Sequence, residues 1–192
     1  MNRILNFCFK GSRNYVQGPD IVSEIFKAFV QQDIKEIDIK FNGITQTNLN
    51  LLEGHDAPDA KVNIRLKLAG LDKTFQLIEN GEVIDCRYEY DENKILENCN
   101  LDLANQQIAL QKVSGFTLCE NFVAMNKNLL QTLFPEEQGK WYFTRLEQKR
   151  IIDNDELITV KLIKNFNFRL TKSDILVGNE VISSVYFTMV RS

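Results

Sequence analysis

Apolar positions along this chain recur with two different periods, and the switch between them outlines the elements. From residue 19 to 31, Ile21, Val22, Ile25, Phe26, Phe29 and Val30 form a broad stripe with a period of about 3.6 residues. This predicts a helix over 19–31. Pro19 suits its first turn because that position has no N–H to waste, and Asp20 sets negative charge at the positive end of the helix dipole. Before it, Ile4, Phe7 and Phe9 predict a strand over 3–10. After it the period drops to two. Ile37, Ile39 and Phe41 mark one strand, and Val62, Ile64, Leu66 and Leu68 alternate with Asn63, Arg65 and Lys67 to mark another. Asn48 to Asp59 reads as a polar loop between them. Phe75 and Leu77 lead into Asn80-Gly81, a pair that favours a tight hairpin turn, with Val83 to Tyr90 as the returning strand.

The order strand, helix, strands then starts again. Ile108, Leu110 and Val113 predict a strand and Phe122 to Phe134 a helix, with Pro135 just beyond its end. Strands follow at Trp141–Arg150, Leu157–Phe168, Ile175–Val177 and Val181–Val190, the last two joined at Gly178-Asn179. Asn80-Gly81-Glu82-Val83-Ile84 lies over Gly178-Asn179-Glu180-Val181-Ile182, with a Tyr four residues on in each, Tyr88 and Tyr186. These features predict two related units, 1–91 and 108–192, joined by a polar connector at 92–107.

Composition narrows the function classes. The chain has 192 residues, 44% hydrophobic and 26% charged, with a net charge of −3, so it folds and has no overall pull toward nucleic acid or anionic membrane. No run approaches the roughly 20 apolar residues of a membrane helix, and the first residues lack a signal-peptide pattern. A cytoplasmic protein is the expectation. The four cysteines, Cys8, Cys86, Cys99 and Cys119, are widely spaced and read as reduced, small buried hydrophobes. No metal or cofactor is called for. His55, beside Glu53, Asp56 and Asp59, is the one histidine and reads as exposed.

Polar residues gather where the first helix begins. Arg13, Tyr15, Gly18, Asp20 and Glu24 surround the Gly18-Pro19 turn. Free N–H groups at a helix start can bind a carbonyl oxygen and stabilise the charge that develops on it. A carboxylate nearby can move a proton. Asp20, Glu24 and Tyr15 are the catalytic candidates. Arg13, Gly18 and, before the second helix, Asn121 are the substrate-binding candidates, and Asn121 also suits a helix cap. Cys119 is a minor nucleophile candidate.

Gly18-Pro19-Asp20-Ile21-Val22-Ser23-Glu24 is similar to the helix start of dehydratases in the hotdog superfamily. The whole order of elements resembles that superfamily in its double-hotdog arrangement. The resemblance implies an α+β fold with two long central helices wrapped by a continuous antiparallel sheet. It implies binding of acyl thioesters of coenzyme A or an acyl carrier protein, in fatty acid or polyketide metabolism, with thioesterase or dehydratase-like chemistry. A homodimer is compatible with it. Glu24 falls at the family's glutamate position. The histidine that partners it has no counterpart among Lys10, Ser12, Arg13, Asn14 and Tyr15, and the second half has Asn128 where the first has Glu24. The alternative implied is a catalytically degenerate hotdog subunit that serves as a binding or assembly partner.

Overall fold

The computed structural model describes residues 2–54 and 57–191. His55 therefore lies outside the described residues, and so does its expected exposure. The chain divides into two compact units, Met1–Tyr90 with Lys149–Ile151, and Asp91–Gln148 with Ile152–Ser192.

The first unit contains β1 (Asn2–Leu5), β2 (Phe9–Lys10), α1 (Gly18–Ala28), β3 (Ile34–Phe41), β4 (Thr47–Glu53), β5 (Val62–Leu68), β6 (Leu71–Val83) and β7 (Arg87–Tyr88). Five strands form an antiparallel sheet in the order β3-β5-β6-β4-β1. The expected strand 3–10 is split. Its start pairs with β4, whereas Phe9 and Lys10 leave that sheet and form a two-stranded parallel ribbon with β7.

The expected loop at 48–59 also needs correction. Its first residues are β4, in which Leu49 and Leu51 are fully buried with polar residues between them. Helix α1 buries Ile21, Val22 and Ile25, and just past its end the Phe29 ring meets Phe75 of β6 at 4.9 Å. Each such side chain contributes about 1.5–3 kcal/mol when fully buried.

Asn80-Gly81 is not a hairpin turn. Strand β6 runs straight through it, with Gly81 at φ +79° in an irregularity of the β4–β6 ladder. The turn is at Ala69-Gly70, where both residues have positive φ and Leu68 faces Leu71. The local Asn-Gly preference is worth less than the register that β6 keeps with β4 on either side of the pair, at Glu79 and at Val83.

The second unit contains α2 (Asn93–Leu96), β8 (Cys99–Asp102), β9 (Gln107–Leu110), α3 (Leu118–Leu133), β10 (Lys140–Arg150), β11 (Ile158–Phe166), β12 (Leu170–Val177) and β13 (Glu180–Val190). Its strands follow the order β10-β13-β12-β11-β9-β8. The stretch 92–107 carries α2 and β8. Strands β11, β12 and β13 are a simple meander. In the first unit the step from β4 to β5 skips one place, which β6 then fills. Asn80–Val83 closes β6, whereas Glu180 opens β13, so the two segments matched by sequence occupy different places.

The architecture is α+β, but the two long helices expected are short. Helix α1 has 11 residues and α3 has 16, beside the 4 of α2. Helix α1 ends at Ala28, short of the expected residue 31, because Phe29 leaves helical geometry to enter the core. No helix among the described residues is long and apolar enough to cross a membrane. The cysteines also depart from expectation. Cys8 and Cys86 form a disulfide across 78 residues, and Cys86 is exposed. Cys119 is buried and Cys99 half-buried, and neither is in a disulfide.

Candidate functional site

The start of α1 holds a cluster that only the folded chain assembles. Strand β2 ends at Lys10, whose side chain is fully buried although it carries a charge. Its Nζ lies 2.6 Å from Asp20 Oδ1, in the first turn of α1. The Tyr88 hydroxyl donates to the same carboxylate oxygen at 3.1 Å. The ammonium also stands over two aromatic faces, 5.6 Å from the Tyr88 ring centre and 4.6 Å from that of Tyr90. Charge attraction and the ring quadrupoles together offset the cost of burying the ammonium. Burial, and then the Asp20 carboxylate, push the Tyr88 hydroxyl up to about 12, so at neutral pH it stays protonated and can donate.

Backbone geometry places these groups. Gly11 turns the chain with φ +52°, and a Cβ there would sit 3.6 Å from the Tyr90 carbonyl oxygen. Arg87 donates from Nη1 to the carbonyls of Gly11 and Arg13, at 2.5 and 2.6 Å, and ties β7 to this turn. Gln17 then caps α1 in extended geometry without a side-chain cap bond. Pro19 brings no donor. Among the described residues, neither the Gly18 N–H nor the buried Gln17 Nε2 meets a partner. The helix start therefore keeps donors to offer.

Of the residues expected from the sequence, Asp20 sits at the centre. Gly18 opens the same helix turn, and the Arg13 main chain lies in the turn after β2, donating to the Lys10 carbonyl and accepting from Arg87. Glu24 turns away and pairs with Lys27 at 2.7 Å on the surface. Tyr15 is half-buried, and no hydrogen bond joins it to Asp20 or Glu24 among the described residues. Asn121 belongs to the second unit and is not a cap. Thr117 caps α3, while Asn121 is fully buried inside the helix and accepts from Ser114 Oγ at 2.5 Å. Sequence reasoning missed Lys10 and Tyr88. The available signal was a lone charge closing the apolar run Phe7-Cys8-Phe9, which calls for a buried partner.

The second unit has polar groups of another kind. Asn121 and Asn126 of α3 are fully buried, as is Ser173 of β12, and Ser183 of β13 is 3% exposed. Neither side-chain atom of Asn126 meets a partner, nor do Asn121 Nδ2 and the two serine hydroxyls, among the described residues. A cavity of about 640 Å³ lined by Asn167, Phe168, Arg169, Met189 and Arg191 lies elsewhere in this unit.

With this geometry in view, the strand–helix–sheet architecture is that of the hotdog fold. The chain is similar in structure to a TesB protein of Mycobacterium avium subspecies paratuberculosis, with a TM-score of 0.55 at 7% identity, over 98% of this chain and 93% of that one. It is similar also to the dehydratase domain of PpsC from Mycobacterium tuberculosis, solved in complex with C12:1-CoA, with a TM-score of 0.54 at 8% identity, over 98% of this chain and 92% of that one. At such identities the likeness is one of fold. No family model matches the chain, and no curated protein matches it.

Proposed function

We propose that this protein is a tandem hotdog that binds an acyl thioester, of coenzyme A or of an acyl carrier protein, at the start of α1. The observation that carries this reading is the match of fold along nearly the whole length of a TesB protein and of a dehydratase domain holding an acyl-CoA. The α1 start supports it, because unpartnered donors stand there beside a carboxylate. The Gly18 N–H and Gln17 Nε2 would hold the thioester oxygen, and Arg13 the phosphates of the carrier. Glu24 and Tyr15 remain catalytic candidates in this unit, and Asn121 a substrate-binding candidate of the second unit.

If the bound thioester turns over, hydrolysis follows from the same groups. Asp20 takes a proton from a water molecule, whose oxygen attacks the carbonyl carbon. The oxyanion rests on the helix-start donors. The C–S bond then breaks, and the sulfur leaves as a thiol with the proton that Asp20 held. Lys10 holds the carboxylate in place, and Tyr88 donates to it while the segment that carries Tyr88 is closed over the helix start.

Titration calorimetry with dodecanoyl-CoA and with free coenzyme A tests the reading, followed by product analysis. Binding of the acyl form in preference to free coenzyme A is expected, with free thiol released on turnover. With 3-hydroxydodecanoyl-CoA as ligand, release of water and of the unsaturated acyl thioester would instead show dehydratase-like chemistry. Binding of neither ligand contradicts the proposal.

A further inference from the structure

The Cys8–Cys86 bond ties down the segment that covers the α1 start. Residues 85–89 are all exposed, and the segment's one ladder is the β2–β7 ribbon of two residues per strand. Beyond the disulfide, it is held by Phe9 N–H to the Cys86 carbonyl at 3.0 Å, by Gly11 N–H to the Tyr88 carbonyl at 2.9 Å, and by the Arg87 bonds to Gly11 and Arg13. A ribbon of this size does not hold by itself in water. Its side chains nevertheless complete the site, since Tyr88 bonds Asp20 and its ring shields Lys10. With the segment in place Lys10 is fully buried and the Asp20 side chain is 18% exposed.

We infer that the Cys8–Cys86 disulfide is a redox-controlled latch on the α1 start, closed when oxidised and released by a dithiol reductant. The inference rests on the reading of that start as the ligand site. Cys86 is an exposed residue, and exposed disulfides are the more easily reduced ones. The reductant's thiolate attacks one sulfur and the S–S bond breaks. Two thiols remain on the chain, and the reductant leaves as its own disulfide. No thiol of the protein is needed, and burial pushes the free Cys99 thiol up to about 11, far from an attacking thiolate. Once released, β7 keeps its main-chain and arginine bonds, the Tyr88 bond to Asp20 and the ring contact with Lys10, none of them covalent. Tyr88 then withdraws, and Lys10 and Asp20 open to a ligand.

Amine acetylation read by mass spectrometry tests the latch on the intact chain, oxidised and after dithiothreitol, with Cys8→Ser/Cys86→Ser in parallel. Lys10 is expected to be protected in the oxidised protein. Its labelling should rise at least about tenfold on reduction, as local opening without global unfolding requires. Exposed Lys35 should be labelled equally in both forms, and far-UV circular dichroism should stay unchanged. The double serine variant should match the reduced protein in either condition. Dodecanoyl-CoA should bind more tightly to the open form. If Lys10 stays protected after reduction and in the variant, or if the fold is lost on reduction, there is no latch. If Lys10 opens and dodecanoyl-CoA binds in neither form, the latch stands and the thioester reading fails.

Discussion

Helices α1 and α3 begin in opposite ways. At α3, Thr117 and Glu120 form a reciprocal capping box, and Asn154 Oδ1 accepts from the Leu118 N–H at 2.8 Å. Ser114 joins the cap to the helix interior by donating to Asn121. Nearly every polar group there serves the helix itself. At α1 the cap residue makes no side-chain bond, the first turn contains Pro19, and Asp20 turns from the helix to Lys10 and Tyr88. The interiors reverse this contrast. The face α1 buries is apolar, whereas α3 buries two asparagines with unpartnered atoms. One unit thus presents its polar groups at a helix start, and the other keeps them in its interior.

Substitutions can break this contrast at graded cost. Removing one partner of the buried Lys10–Asp20 pair, as Lys10→Met or Asp20→Asn, should lower stability by about 3–5 kcal/mol, because the other charge stays buried. Urea unfolding should show the double variant closer to wild type than either single one. If the single variants are neutral, the pair is solvated. In the second unit the effect should have the opposite sign. Asn126→Leu removes two unsatisfied polar atoms and should raise stability by about 1–3 kcal/mol. A loss of similar size would mean that the amide is satisfied by water.

Thr117→Ala should cost about 1 kcal/mol by thermal denaturation, whereas Gln17→Ala should cost little, since only Thr117 caps through its side chain. Alkaline pH should have the smallest effect. The folded chain favours the neutral Tyr88 phenol, so stability should hold to about pH 10, where unfolded tyrosine ionises, and fall as pH rises to about 12. Tyr186 adds to the same fall, with its hydroxyl at about 12 from burial and its bond to Glu147. Tyr88→Phe should make the fall shallower, and an unchanged slope would leave it wholly to other groups.

Much of the fold was legible in the sequence wherever pattern and packing agree. The alternation at Val62–Leu68 and the stripe Ile21 to Phe29 each appear as the element they predict. What the sequence hid was set by distant partners. Asn80-Gly81 has strong turn chemistry, yet β6 pairs through it, and the true turn carries the weaker Ala69-Gly70 signature. For the same reason β4 was missed, since Asn48 and Asn50 suggest a loop until its pairing with β1 and β6 is known.

At the candidate site, Asp20 was readable from its place in a helix start. Its partners were not. Lys10 precedes the helix by a turn, and Tyr88 reaches Asp20 across 68 residues of chain. Glu24 follows helical spacing from Asp20, but Lys27 draws its carboxylate to the surface. The disulfide was illegible because Cys8 and Cys86 meet only through the β2–β7 ribbon.

If the α1 start, built on Lys10, Asp20 and Tyr88, holds the acyl thioester, affinity depends on the Lys10–Asp20 pair. Calorimetric titration of dodecanoyl-CoA into the reduced protein and into reduced Lys10→Met/Asp20→Asn tests it most directly, with urea unfolding of both to show that the variant is folded. Wild type should bind, and the folded variant should bind at least about tenfold more weakly, a difference of about 1.4 kcal/mol or more. Equal affinity in the two proteins, or no binding to wild type, would contradict it.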